Sequence, residues 1–345
     1  MKETQKLQMQ FRLFFLGSIC LFLFCTCKKD KVNEFDYSFT PYKLNTPIGF
    51  PEPIIPDNNP LSNERVELGK MLFFDPILSR DSSISCGTCH LQNLAFTDNL
   101  TISRGIDNRE GFRNTATLTN ILYNDFFLKE GGIPSLERQV SAPIEDEDEM
   151  GFNMVELIER LKNHPTYPDL IWQAYEREVD AFSITRAIAC YERTLISGNS
   201  KYDKFYYQDQ KDILTEEEKL GMDLFFSDKT NCSTCHSDFN FTNNGFENNG
   251  LYETYADPGR IRITNKEIDE GKFKVPTLRN ILQTDPYMHN GSLQTLESVI
   301  EHYNSGGSNH PNKSELVRPL DLSEEEKQAL IAFLETLSDW EFLGE

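Results

Sequence analysis

Basic residues are scarce in this chain. Lys and Arg total 34 against 55 Asp and Glu, a formal charge of −21 over 345 residues. Nucleic-acid binding needs basic patches to meet phosphates, so that class of partner is excluded. Plain solubility accounts for the acidic surface, which equally suits attraction of a basic protein partner. Long apolar runs are scarce too. The one stretch that could touch a membrane is "FRLFFLGSICLFLFCTC", residues 11–27, and it is short for a spanning helix. No long biased tract argues for disorder, and 38% hydrophobic content can build a core. Strand signals are few. Tryptophan is limited to Trp172 and Trp340, histidine to six residues, and cysteine outside the apolar run to five.

The apolar run follows a few basic residues and ends in cysteines, with "KKDK" next. This pattern resembles a bacterial lipoprotein signal, cut before a cysteine that then carries lipid. Cys27 fits best because Lys28 and Lys29 open the polar stretch; Cys25 is the alternative. An uncleaved anchor is the competing reading. Either one expects the remainder of the chain outside the cytoplasm, in the periplasm or cell envelope, tied to a membrane.

Four of the other five cysteines form two pairs, "SCGTCH" at 85–90 and "NCSTCH" at 231–236. C-x-x-C-H is the attachment signature of c-type haem: two thiols bond the porphyrin and the next residue, histidine, binds iron. Cys86, Cys89 and His90 form one such set, and Cys232, Cys235 and His236 the other. A four-cysteine zinc site also uses two C-x-x-C pairs, but Cys86 and Cys232 stand 146 positions apart and each pair carries its own histidine. A dithiol redox motif needs no histidine there. Structural disulfides suit the compartment but also leave the histidines unexplained. Two covalently bound c-type haems are therefore expected. Cys190, in "ITRAIACYERTLIS", reads as a buried core thiol.

The surroundings of the motifs repeat as well. "LGKMLFF" (68–74) matches "LGMDLFF" (220–226), and "AFTDN" (95–99) matches "NFTNN" (240–244). "TLTNIL" (117–122) matches "TLRNIL" (277–282), and "GGIPSLE" (131–137) faces "NGSLQTLE" (290–297). Each half closes on an apolar helical stretch, 184–197 and 324–338. Blocks recurring in one order mean a duplicated domain. Ser62 and Thr215 stand where helix caps belong; Glu218 completes a capping box that Arg65 cannot. The expected fold is all-α, two tandem cytochrome c-like domains, each built around one covalently attached haem. The expected parts are a signal at 1–27, an extended linker at 28–60, and haem domains at 61–205 and 206–345. The boundary falls within "SGNSKYDKFYYQDQKD", 197–212.

Both haem motifs, "FRNTATLTN" (112–120), "QVSAPIEDEDEM" (139–150), "SKYDKF" (200–205), "GKFKVPTLRN" (271–280), "DPYMHNGSLQTLE" (285–297) and "EHYNSGG" (301–307) together resemble the bacterial di-haem cytochrome c peroxidase family, which includes the MauG-type enzymes. The resemblance covers roughly 45–340. It implies that one haem reacts with hydrogen peroxide while the other relays electrons, supplied by a small donor protein such as a cytochrome c or cupredoxin.

The sixth position on each iron decides its role, since two strong protein ligands favour electron transfer and an open face binds peroxide. In the family's standard peroxidases a distal histidine precedes the "RN" motif. Here Ile106 stands at that place, and no histidine lies between His90 and His164. The N-terminal haem is thus expected to lack a sixth protein ligand, as in MauG-type proteins. The family's distal glutamine and glutamate match Gln139 and Glu149, ten residues apart. Burial beside the haem would raise the Glu149 pKa and fit it to shuttle protons. Glu145, Asp146, Glu147 and Asp148 read as a solvated acidic loop. On the C-terminal iron the family places methionine or, in MauG-like members, tyrosine; Tyr303 occupies that position. A core aromatic is the competing reading of Tyr303, with Met288 and His302 as other ligands.

The resemblance also implies calcium between the domains, held by an asparagine side chain and two backbone carbonyls; Asn114, Thr284 and Pro286 match. Asn114 could instead cap a turn. Where the family carries an inter-haem tryptophan, this chain has Lys129, with Phe126 and Phe127 nearby. Arg113 and Arg279 are expected to meet haem propionates or carbonyls. Three functions compete: a peroxide reductase, a MauG-like oxidase of a protein or organic substrate, and a non-enzymatic di-haem electron carrier. The oligomeric state stays open, a homodimer included.

Overall fold

The computed structural model describes residues 40–344. The expected signal, Cys25, Cys27 and the first part of the expected linker lie outside the described residues. The helices run α1 Asn63–Phe74, α2 Cys86–Cys89, α3 Leu136–Gln139, α4 Ser141–Glu145, α5 Met154–Lys162, α6 Tyr167–Tyr175 and α7 Ala181–Glu192. They continue as α8 Lys201–Tyr206, α9 Glu216–Phe225, α10 Cys232–Cys235, α11 Ile261–Thr264, α12 Leu296–Ser305, α13 Glu324–Glu335 and α14 Trp340–Leu343. One short antiparallel pair, β1 Phe246–Glu247 with β2 Phe273–Lys274, is the only sheet among the described residues. The fold is helical with long irregular connections, as the duplicated sequence implies.

The two halves are built alike. Ser62 caps α1 by accepting the Arg65 N–H at 3.3 Å. Thr215 caps α9 by accepting the Glu218 N–H at 3.2 Å, and Glu218 accepts the Thr215 N–H at 2.7 Å. In each half the helix before the haem motif crosses the closing helix, α1 on α7 and α9 on α13. The crossing needs glycine. A Cβ on Gly69 would sit 1.9 Å from the Ala187 carbonyl oxygen, and one on Gly221 1.8 Å from that of Ala329. Overpacking a helix contact of this kind typically costs about 1–3 kcal/mol. The apolar faces so joined form two cores, one with Leu72, Phe73, Phe96 and Ile188, the other with Phe225, Phe241, Leu330 and Phe333. Cys190 is buried beside Leu61 and Val66, as expected of a core thiol.

The repeated asparagines of "TLTN" and "TLRN" tie the halves together. Asn120 and Asn280 adopt left-handed backbone, with φ of 56° and 57°. Asn120 donates its backbone N–H to Leu195 O at 2.9 Å, and Asn280 donates to Leu337 O at 3.1 Å. Their side chains meet at Ser197: Asn120 donates to its carbonyl and Asn280 to its hydroxyl.

Helix α8 packs with the C-terminal half, although the 205/206 boundary assigns it to the first. Asp203 and Arg279 are fully buried and form a two-pronged ion pair at 2.8 and 2.9 Å, while Tyr202 joins the second core. Residues 40–60 are irregular and packed: Phe50 lies 4.6 Å from Phe239 and 6.1 Å from Tyr123, and the Arg279 guanidinium sits 4.6 Å over its ring.

Candidate haem sites

Cys86 and Cys89 occupy the single turn α2, opened by the Ser85 N–H donating to the Thr88 hydroxyl at 3.0 Å. The chain leaves helical geometry at His90, which turns the ring back toward the following loop. His90 Nδ1 lies 2.7 Å from the Phe96 carbonyl oxygen. That oxygen can only accept, so Nδ1 carries the proton and Nε2 keeps its lone pair for a metal. The second half repeats this: His236 Nδ1 lies 3.1 Å from the Phe241 carbonyl oxygen. Burial pushes the His90 pKa down and that of His236 to about 4, so both imidazoles stay neutral. Phe96 and Phe241 present these carbonyls from left-handed backbone, φ 60° and 50°. Sequence reasoning found the repeated "AFT" and "NFT" blocks but missed this role.

All four motif cysteines are free thiols. Burial raises each of their pKa values, those of Cys89 and Cys235 to about 11. The disulfide reading therefore fails. Among the described residues no three His, Cys, Asp or Glu side chains converge as a zinc site requires.

Around the first motif, Ile106 is 1% exposed, and its N–H donates to the Glu149 carbonyl at 2.8 Å. Gly105 lets the loops meet, since a Cβ there would lie 2.2 Å from the Asp148 carbonyl oxygen. The Glu149 carboxylate is near enough to raise the pKa of both the Cys86 and Cys89 thiols. The side chain is accessible rather than buried as expected, yet crowded by protein. That crowding, then the charges of Asp146 and Asp148, push its pKa up to about 7. Gln139 ends α3, partly buried, and no hydrogen bond joins it to Glu149. His164 lies past the end of α5, where Nδ1 accepts the Thr166 N–H at 3.2 Å.

Around the second motif, Tyr303 projects from α12 into the field of Cys232 and Cys235. Burial pushes its phenol up to about 12, while a hydrogen bond from the Asn249 side chain favours the phenolate. Its rivals are otherwise engaged: Asn249 donates to Met288 Sδ at 3.1 Å, and His302 Nε2 lies 3.0 Å from the Asn249 carbonyl oxygen. His310 Nδ1 accepts the Asn312 N–H at 3.0 Å, and His289 stacks on Phe273 with ring centres 4.0 Å apart. Asn249, central to this cluster, carried no signal in the sequence.

The di-haem cytochrome c peroxidase profile matches residues 63–211. The methylamine utilization protein MauG of Methylorubrum extorquens is 39% identical over 286 residues, 82% of this chain and 80% of that protein. The cytochrome c551 peroxidase of Nitrosomonas europaea is 34% identical over 300 residues, 85% of this chain and 84% of that one. The chain belongs to the di-haem cytochrome c peroxidase family. The crystal structure of a MauG-like protein associated with microbial copper homeostasis shares its fold, with a TM-score of 0.83 and 32% identity over 88% of this chain and 97% of that one. As a family member it is an oxidoreductase of the peroxidase type with two c-type haems. The two free-thiol pairs, each followed by a neutral histidine whose Nδ1 faces a backbone carbonyl, fit those haems.

Calcium fits poorly. Asn114 Oδ1 accepts from the Lys129 ammonium, and Asn114 Nδ2 donates to the Pro286 carbonyl at 2.6 Å. Two of the three expected ligand groups thus already have partners; Thr284 gives its hydroxyl to Ile281 O at 3.2 Å. Arg113 does not await a propionate either: it pairs with Glu130 and, at 2.7 Å, with Asp257. Arg279 does meet a carbonyl, that of Phe239, at 2.8 Å from Nε. Trp172 and Trp340 are both half-exposed on the surface, so neither replaces the family's inter-haem tryptophan.

Proposed function

We propose that this protein reduces hydrogen peroxide at its N-terminal haem, held by Cys86, Cys89 and His90, with electrons relayed from the C-terminal haem on Cys232, Cys235 and His236. One observation carries the reading. Buried Ile106, incapable of binding a metal, is bonded through its backbone to Glu149, whose carboxylate acts on both thiols of the first motif. When bound, the haem supplies the peroxide-binding metal and the electron store. The chain supplies the proton chemistry. A Glu149 carboxylate oxygen takes the proton from the nearer peroxide oxygen and returns it to the departing one, which leaves as water. Each peroxide consumes two electrons and two protons and yields two waters. Gln139 orients the peroxide from the end of α3.

Tyr303 favours a second reading, a MauG-like oxidation of a protein or organic substrate, because a phenolate ligand stabilises the oxidised iron. The donor in the first reading is a small cytochrome c or cupredoxin. The protein works in the periplasm or cell envelope, lipid-anchored through Cys27 or Cys25.

Without a distal histidine to expel, activation by prior reduction is unnecessary. Stopped-flow mixing of the fully oxidised holoprotein with peroxide is expected to change the haem spectrum in the first shot. A protein inert until half-reduced would contradict the reading.

A further inference from the structure

Lys129 lies between the halves, at the family's inter-haem tryptophan position and within reach of its calcium position. Its ammonium donates to Asn114 Oδ1 and, at 3.2 Å, to the His289 carbonyl. We infer that the Lys129 ammonium takes the place of calcium, so that an internal cation joins the two halves and the folded protein has no calcium requirement. This inference does not rest on the peroxide reading.

The Asn114 amide is fixed by partners of opposite polarity at its two ends. Its oxygen meets an ammonium, and its nitrogen donates to Pro286 O in the other half. Flipping the amide would set two donors against each other and two acceptors against each other. Calcium needs six to eight oxygen ligands at about 2.3–2.6 Å. Here the amide oxygen is taken, and the Pro286 carbonyl faces an N–H.

The charge balance agrees. Burial pulls the Lys129 pKa down to about 7, and Arg113, itself paired with Glu130 and Asp257, pulls the same way. Asp98, Asp257 and Glu130 favour the ammonium, from which the Asn114 and His289 oxygens accept. Three carboxylates thus surround the Arg113 guanidinium and the Lys129 amine. A dication added beside the ammonium would meet like charge at close range. Lys129 therefore accounts for both departures from the family at once, the missing tryptophan and the poor calcium ligands. Its carbon stem replaces a ring and its head replaces an ion.

The test uses the holoprotein with both haems. Calcium content is measured by elemental analysis after gel filtration from calcium buffer, and thermal unfolding is followed in calcium and in EGTA. The wild type is expected to carry no stoichiometric calcium and to unfold at one temperature in both buffers. Lys129→Met keeps the stem and removes the charge; it is expected to unfold at a lower temperature. One calcium per wild-type chain, with a lower unfolding temperature in EGTA, would overturn the inference. So would a Lys129→Met protein as stable as wild type. Should that variant fail to fold, the wild-type calcium measurement still decides. None of these readouts involves peroxide, so they stand or fall apart from the proposed activity.

Discussion

Replacing Glu149 with glutamine is expected to slow the reaction with hydrogen peroxide by about 10²–10⁴-fold, the usual worth of a positioned general acid–base group. Haem content should not change, because Glu149 bonds neither thiol. The argument begins in the backbone. Gly105 and Ile106 dock on the Asp148–Glu149 turn, which fixes the origin of the carboxylate beside the first haem motif. Surrounding protein and the charges of Asp146 and Asp148 then bring its pKa up to about 7. A group titrating there can both take and return a proton at neutral pH. The ionised form is the one that accepts the first proton. The rate with peroxide should therefore rise as pH increases through about 7 and level off above it. In Glu149→Gln that inflection should vanish. Stopped-flow rates across pH read both effects, and an unaltered rate in the variant would remove Glu149 from the mechanism.

Tyr303→Phe is expected to abolish the low-spin ferric signal of the C-terminal haem and convert that iron to high spin. The phenol carries the argument through its surroundings. Tyr303 stands on α12 close to Cys232 and Cys235, and Asn249 donates to its oxygen. Burial, with the nearby Cys232 and Cys235 thiols, outweighs the Asn249 hydrogen bond and raises the phenol to about 12; a ferric ion would reverse that preference by supplying positive charge. Met288 and His302 compete poorly, since Asn249 engages the sulfur of one and the ring nitrogen of the other. Electron paramagnetic resonance of the variant distinguishes the cases. A low-spin signal that survives the substitution would exclude tyrosine as the ligand.

Much of the fold was legible because its signals are local. The caps Ser62 and Thr215, the apolar helix faces and the two C-x-x-C-H turns each lie within a few residues. Duplication was legible because equivalent cores need equivalent residues, down to Gly69 and Gly221 at the helix crossings. What stayed hidden depends on distant partners or on backbone atoms. The carbonyls of Phe96 and Phe241 orient the histidines through left-handed backbone that packing imposes. Arg113 looked like a propionate partner until Asp257, far along the chain, was brought against it. Helix α8 looked like the end of the first half because sequence adjacency says nothing of the Asp203–Arg279 pair. Lys129 read only as a lost tryptophan, since its acceptors, Asn114 and His289, come from opposite halves.

The asymmetry of the two irons is tested most directly by electron paramagnetic resonance of the fully oxidised holoprotein as isolated. One high-spin and one low-spin ferric haem in equal amounts is the predicted result. Two low-spin haems would mean that a side chain closes the face beside Ile106, and would contradict the account.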